Sequence, residues 1–324
     1  MRSVSAIAFF IALSACASSS GNRADSAVAE ADESVALPEF SQDSAFAFVK
    51  QQVDFGPRVP NTEAHRNASR WLSSRLAEYG AEVVPQNVTL TAFDGTPLKA
   101  TNIFAQFNPD KQRRVLLLAH YDCRPWADKD PDPAKRSTPV DGANDGASGV
   151  GVLLELARVI KDNPLPDYAP GVDILFVDAE DWGSDNVEDS WALGANYFVN
   201  NPPLEGYSPD CVILLDMVGS HDAVFYKEYF SQMAAPELNA AVWAAAAAAG
   251  YSDLFRHEIG GAVTDDHRPF IDRGIPAIDI IDYRKNPEGF DPVWHTTSDD
   301  MHNISPRTLK AVGQTLIQYL YGTE

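Results

Sequence analysis

Five positions along this chain carry side chains of the kind that ligate metals, and each falls where a strand-like apolar run ends or a loop begins. His120 and Asp122 close the run Val115–Ala119, and Asp145 lies in the stretch Asp141-Gly-Ala-Asn-Asp-Gly-Ala-Ser-Gly149. Glu180 and Asp181 follow Val172–Val177, Asp216 follows Val212–Leu215, and His295 stands in Trp294-His-Thr-Thr-Ser-Asp-Asp300. In an open α/β sheet the loops after the strand C-termini share one edge, where ligands bind. Residues as distant in sequence as His120 and His295 can therefore converge. A mixed His/carboxylate set without Cys suits a catalytic zinc site with an open coordination position. A single acid after a strand is ordinarily a turn former or helix N-cap. Asp145 could simply begin the helix announced by Val150, Leu153, Leu154 and Ala157. Five such positions in this order are hard to produce by turn chemistry alone.

The elements that must position them alternate between strand-like and helix-like runs without a linker, which favours one α/β domain. Asn61 or Thr62 can cap a helix with the apolar face Ala64, Ala68, Trp71, Leu72 and Leu76, stopped by Gly80. Before it, Phe55-Gly-Pro-Arg58 reads as a structural turn. Val83–Phe93 and Ala100–Phe107 form a hairpin across Asp94-Gly95. Val115–Ala119, apolar throughout, is expected as a central strand buried on both faces. Helices follow at 147–161 and 190–200, strands at 172–177, 211–216 and 276–281, and a closing amphipathic helix at 306–321. The alanine run from Trp243 is helix-favouring, with Gly250 as its stop. Two long insertions, 123–144 and 182–191, are expected to wall a cleft. Asp128, Asp130 and Asp132 in the first lack the spacing and Gly of an EF-hand loop and read as a solvated turn.

The 324 residues include 25 basic and 46 acidic side chains, a net charge of −21. Nucleic acid and anionic lipid surfaces would be repelled. Residues 1–16 read as a signal segment: Arg2, the apolar Val4–Leu13, and Leu13-Ser-Ala-Cys16. The apolar stretch is too short to span a bilayer, and its ending resembles a bacterial lipobox, in which the Cys is acylated. An ordinary secretory signal cleaved after Ala15 is the other reading. Either way the mature protein is exported, to the periplasm or membrane-anchored in the cell envelope, and it touches a membrane only through an anchor at Cys16. Residues 17–37 form a flexible tether and 38–324 a single catalytic domain. Cys123 and Cys211 would lie at opposite sheet edges if their strands are parallel, and are read as free thiols.

The order His-x-Asp, Gly-Ala-x-Asp-x-x-Ser-Gly, an acid doublet, Leu-Leu-Asp-Met-Val-Gly and Trp-His-Thr resembles the family of zinc aminopeptidases and glutaminyl cyclases. Three features make it more similar to the glutaminyl-peptide cyclotransferase branch, bacterial type. They are Thr264-Asp-Asp-His-Arg-Pro-Phe270, the Trp before His295, and Arg124-Pro-Trp-Ala-Asp128. The resemblance spans roughly residues 42–322. It implies a three-layer α/β sandwich with a mixed, mostly parallel twisted central sheet.

It further implies one zinc held by Asp145, Asp181 and His295, with Glu180 as general acid/base. Asp216 and Asp265 would join Glu180 in the catalytic network, with Trp294 and His120 on the substrate side. Many relatives carry Glu where this chain has Asp181, and animal cyclases carry His where it has Asp279. The reaction implied is conversion of an N-terminal glutamine of a peptide to pyroglutamate with release of ammonia. The alternative is an aminopeptidase with a second zinc bound through His120 and Asp216. All five ligand types are present, so ligand inventory alone does not choose between them. A non-catalytic exported binding protein on the same scaffold is a third reading, disfavoured because every catalytic position carries a competent side chain.

Overall fold

Alternating burial along the first hairpin and unbroken burial along the next strand set the architecture. A computed structural model describes residues 37–285 and 288–322. The expected signal segment, its Cys16 and nearly all of the tether lie outside the described residues. In chain order the helices are α1 (Gln42–Val53), α2 (Glu63–Glu78), α3 (Ala147–Asp162), α4 (Leu193–Asn200), α5 (Tyr229–Ala234), α6 (Pro236–Ala248), α7 (Arg268–Asp272) and α8 (Pro306–Tyr321). The strands are β1 (Glu82–Thr91), β2 (Pro97–Phe107), β3 (Arg114–His120), β4 (Gly171–Val177), β5 (Cys211–Asp216), β6 (Phe225–Lys227), β7 (Phe255–Ile259), β8 (Ala277–Ile281), β9 (Arg284–Lys285) and β10 (Glu288–Gly289).

Six strands form one sheet in the order β1-β2-β4-β3-β5-β8. The four from β4 to β8 run parallel, while β1 and β2 are antiparallel additions at one edge. The sheet is thus mixed and mostly parallel, as the resemblance implies. Val115–Ala119 sits between β4 and β5, as expected of a fully apolar run. Its Val115, Leu117 and Ala119 pack into one hydrophobic core and its Leu116 and Leu118 into another. Helices α1, α3, α6 and α8 cover the first face, and α4 and α7 the second, giving three layers.

Local chemistry accounts for the boundaries. Thr62 accepts the His65 N–H and Ser305 that of Thr308 at the starts of α2 and α8. At the β1–β2 turn Asp94 accepts the Thr96 N–H, with Gly95 at φ 85°. Gly149 on α3 packs so closely that a Cβ there would lie 2.2 Å from the Leu215 carbonyl oxygen. Only glycine lets α3 approach β5 that far. Cys123 and Cys211 are free, one beyond the end of β3 and one at the start of the parallel β5.

Candidate active site

The sheet's C-terminal edge gathers the side chains singled out above. His120 ends β3, Asp216 ends β5, and the acid doublet follows β4 by two residues. Asp145 immediately precedes Gly146, the cap of α3. Gly146 adopts φ 91°, and a Cβ there would press within 3.0 Å of the His120 ring. Three non-glycine residues also take the left-handed conformation at this edge. They are Ala179 before Glu180, Met217 after Asp216, and His295 itself. Such backbone costs on the order of 1–3 kcal/mol per residue and is typical of functional sites.

Donor atoms of Asp145, Asp181 and His295 lie within 4.8 Å of one another, as do those of His120, Asp145 and Asp216. His295 Nε2 is 3.2 Å from Asp181 and 3.6 Å from Asp145. His120 Nε2 is 3.0 Å from Asp145 and 3.2 Å from Asp216. A cleft of about 750 Å³ opens beside them, walled in part by Glu180, Asp216, Asp265, Trp294 and residues 184–189. His120 is only 1% exposed and is not among the residues lining the cleft. Asp265 accepts the Asp266 N–H at 2.6 Å and shares the cleft wall with Glu180 and Asp216. Among the described residues no hydrogen bond joins it to either. Two carboxyl groups can bond only when one holds a proton.

Electrostatics separate the two histidines. Burial, opposed by the Asp145 carboxylate, lowers the His295 pKa to about 3, so this imidazole is neutral. Burial also opposes charge on His120, but Asp122, Asp145 and Asp216 around it prevail and raise its pKa well above the usual value. Burial pushes Asp181 up to about 7 despite Arg124 beside it. Burial, with Asp216 next, pushes Asp265 to about 7. Glu180 is raised well above the ordinary range, chiefly by burial, which outweighs the nearby His120 charge. The Asp145, Asp181 and His295 donors suit a zinc ion: two crowded buried carboxylates and a neutral imidazole.

Several residues support the site from behind, Asp299 and Arg58 among them with no functional signal in the sequence. Asp122 accepts the N–H groups of both Glu180 and Asp181, fixing the doublet's backbone. Asp299 does the same for Asn144 and Asp145. Arg124 donates to the Asp181 carboxylate and to the carbonyls of Asp181 and Gly183, while stacking on Trp126 and Trp191. Arg58, from the supposed structural turn, is fully buried and donates to the carbonyls of Tyr121, Asp141 and Gly142.

The solvated-turn reading of Asp128 and Asp130 does not hold. Asp128 makes a two-pronged pair with Arg124 and lies 3.6 Å from His295 Nδ1. Asp130 is buried and accepts both the N–H and hydroxyl of Thr297. The insertion 123–144 therefore braces the His295 loop from behind instead of walling the cleft, whereas 182–191 does line it. The signal was present in the Arg124-to-Asp128 spacing, but an ion pair between loop residues cannot be read from spacing alone. Behind Asp265 lies a further buried group. The carboxylates of Asp266 and Asp279 have no hydrogen-bond partner among the described residues, and Asp279 is 4.0 Å from His267.

The profile of peptidase family M28 matches residues 102–320. The fold is similar to that of a Bacteroides thetaiotaomicron glutaminyl cyclase bound to N-acetylhistamine (TM-score 0.85, 47% identity, 89% of this chain and 100% of that one). It is also similar to a Zn-dependent exopeptidase from Parabacteroides distasonis (TM-score 0.85, 49% identity, 89% and 100%). In sequence it is 27% identical to the glutaminyl-peptide cyclotransferase of Drosophila melanogaster, over 78% of this chain and 73% of that protein. A viper relative, the cyclotransferase of Gloydius blomhoffii, is matched over 63% of its own length. The family profile shows that the chain belongs to peptidase family M28, and its glutaminyl cyclase relatives put it on the glutaminyl-peptide cyclotransferase branch.

Proposed function

We propose that this enzyme cyclises N-terminal glutamine of peptides to pyroglutamate and releases ammonia. The observation that carries the reading is a cleft in which Glu180, Asp265 and Trp294 share a wall beside the Asp145–Asp181–His295 donors. Those three residues would hold the zinc, which when bound supplies Lewis acidity toward the γ-carbonyl oxygen of the substrate. The chain's own residues would do the rest. Glu180, its pKa drawn upward by burial, takes a proton from the α-amine as that nitrogen attacks the side-chain carbonyl carbon. The new carbon–nitrogen bond closes a five-membered lactam, the bond to the amide nitrogen breaks, and Glu180 returns the proton to the departing ammonia. Nucleophile and carbonyl belong to one residue, so proximity favours the step once the chain end is held. Trp294 packs within 3.7 Å of the His295 ring and 4.5 Å of Phe290, giving a flat apolar wall for that chain end. Asp216 and Asp265, buried acids on the same wall, would hold the proton relay in position.

A second reading, a two-zinc aminopeptidase, draws on the His120–Asp145–Asp216 donor set. Incubation with a Gln-initiated peptide tests the choice. A product lighter by one ammonia is expected. A product lacking its first residue, together with two zinc ions per chain, would overturn the cyclase reading.

Export as a lipoprotein acylated at Cys16 forms part of the proposal. No described helix is long and apolar enough to cross a membrane. Cys16→Ser should move the protein from the membrane fraction to the soluble one. Retention in the membrane fraction would refute the anchor.

A further inference from the structure

We propose that a second groove, remote in composition from the catalytic cleft, docks an extended peptide segment rich in carboxylates. The groove, of about 700 Å³, runs between α2 and the β1–β2 hairpin and shares no lining residue with the cleft. On α2, Arg66, Ser69, Arg70 and Ser73 recur at the spacing of one helix face. On the hairpin, Asn87 pairs with Thr101 and Thr89 with Lys99, so their side chains share the face turned toward that stripe. Helix–sheet contacts of this kind normally close on apolar side chains. Further along the same face they do: Ile103 and Ala105 join the core. At the groove the two elements stay apart and, alongside Pro85, Val88 and Ala100, present hydroxyls, amides and cations.

The charge there runs against the rest of the molecule. The chain carries 46 acids to 25 bases, yet no acid lines the groove. Elsewhere Lys50, Arg75, Lys129, Arg158 and Lys310 each pair with a carboxylate, while exposed cations such as Lys135 and Arg256 form no ion pair among the described residues. Arg66, Arg70 and Lys99 are exposed and form no ion pair among the described residues. Arg66 donates to the Asn61 carbonyl and Arg70 to the Asn67 side chain, which leaves donors on each guanidinium free.

Shape selects the partner. The stripe from Arg66 to Ser73 is about 10 Å long at the helical rise, the length of about three extended residues. Cations recessed between a helix and a sheet reach a thin extended chain better than a flat bilayer surface. One small inorganic anion would span too little of the groove to engage all three. Docked carboxylates would form charge-assisted bonds with the two guanidiniums, and backbone groups would meet Asn87, Thr89 and Thr101.

The test uses the full-length, zinc-loaded protein and fluorescence anisotropy of a dye-labelled, Glu-rich peptide of roughly ten residues. A Lys-rich peptide of the same length, inorganic phosphate and vesicles of anionic lipid serve as competing probes. The Glu-rich peptide should bind saturably, more weakly as salt rises, and the Lys-rich one should not bind. Replacing Arg66→Glu, Arg70→Glu and Lys99→Glu together should weaken the Glu-rich peptide about tenfold or more. Zinc content, melting temperature and turnover of a short Gln-peptide should stay unchanged. If the triple reversal disturbs α2, the milder pair Arg66→Gln and Arg70→Gln gives the same test with a smaller loss. Equal affinity in wild type and variants overturns the proposal. So does groove-dependent binding of phosphate or vesicles without binding of the peptide.

Discussion

At Glu180 a carboxylate with no assigned metal contact sits next to one proposed as a ligand, and exchange of a single atom separates their roles. Glu180→Gln is nearly isosteric and removes no proposed ligand, so fold and zinc content should persist while turnover of a Gln-peptide falls about 10²–10⁴-fold. Substrate affinity should change far less, because the proton moves chiefly in the transition state. Near-normal turnover would sink the mechanism, and loss of zinc would mean the doublet's roles are reversed. Asp181→Ala should lose zinc and activity together, read by metal analysis of the purified variant. The pH profile follows from the same residue. Glu180 must be deprotonated to accept a proton, and burial raises its pKa. The acidic limb of kcat/KM should therefore lie above the ordinary carboxylate value of about 4.3, with activity rising through it. An acidic limb at that ordinary value would argue that another group is the base.

At the scale of elements, the strands β1 to β5 and β8 and the longer helices were legible because their periodicities are strong and the helices meet Gly or Pro within two residues of their ends. Helix α1 was not. Its buried positions are the small Ala45, Val49 and the polar Gln52, with Phe46 and Phe48 only partly covered, so no clear apolar stripe marks it. The converging ligands were legible because strand ends are predictable from the strands. The braces were not, since Asp299, Asp128 and Arg58 act through backbone atoms and loop partners that only tertiary structure brings near. Arg58 illustrates the point. Its guanidinium ties the Tyr121 carbonyl, between His120 and Asp122, to the carbonyls of Asp141 and Gly142 ahead of Asp145. Arg58→Met would keep much of the volume but strand three acceptors. Denaturant unfolding should register a loss on the order of 3 kcal/mol or more, given about 1–3 kcal/mol for each buried unsatisfied group. A loss well below 1 kcal/mol would show that water or loop movement replaces the guanidinium.

Over the whole molecule, the active-site edge concentrates buried acids, most of which resist ionisation, and this links stability to pH and to metal. Asp181 and Asp265 are raised to about 7, and Glu180, Asp266 and Asp279 lie well above their usual values, in every case with burial as the largest cause. In the metal-free protein the folded state therefore holds protons that the unfolded chain, with ordinary carboxyls near 4, has already released. Stability then falls as pH rises from about 4 to about 7. His120 acts in the same direction. Its folded pKa is raised by its three carboxylate neighbours against the pull of burial, so its contribution is full below about 6.5 and lost as pH climbs through the folded value. Asp122 and Asp128, whose carboxyls are lowered by His120 and Arg124 against the pull of burial, oppose them, and so does Glu228. Held at about 2 by His267 and Ser231 in spite of burial, it adds stability above the ordinary carboxyl range and loses it only in strong acid. At this site the raised acids outnumber the lowered ones, so the melting temperature of chelator-treated protein should decline between about pH 5 and pH 8. Zinc would bind the carboxyl groups of Asp145 and Asp181 in competition with protons. Its stabilising effect should consequently grow across the same range, making the melting curve of the zinc-loaded protein flatter in pH. Parallel melts with chelator and with zinc measure both. A metal-free protein that grows steadily more stable from about pH 5 to pH 8 would mean these carboxyls are ionised in the fold, and that something other than zinc offsets their charge.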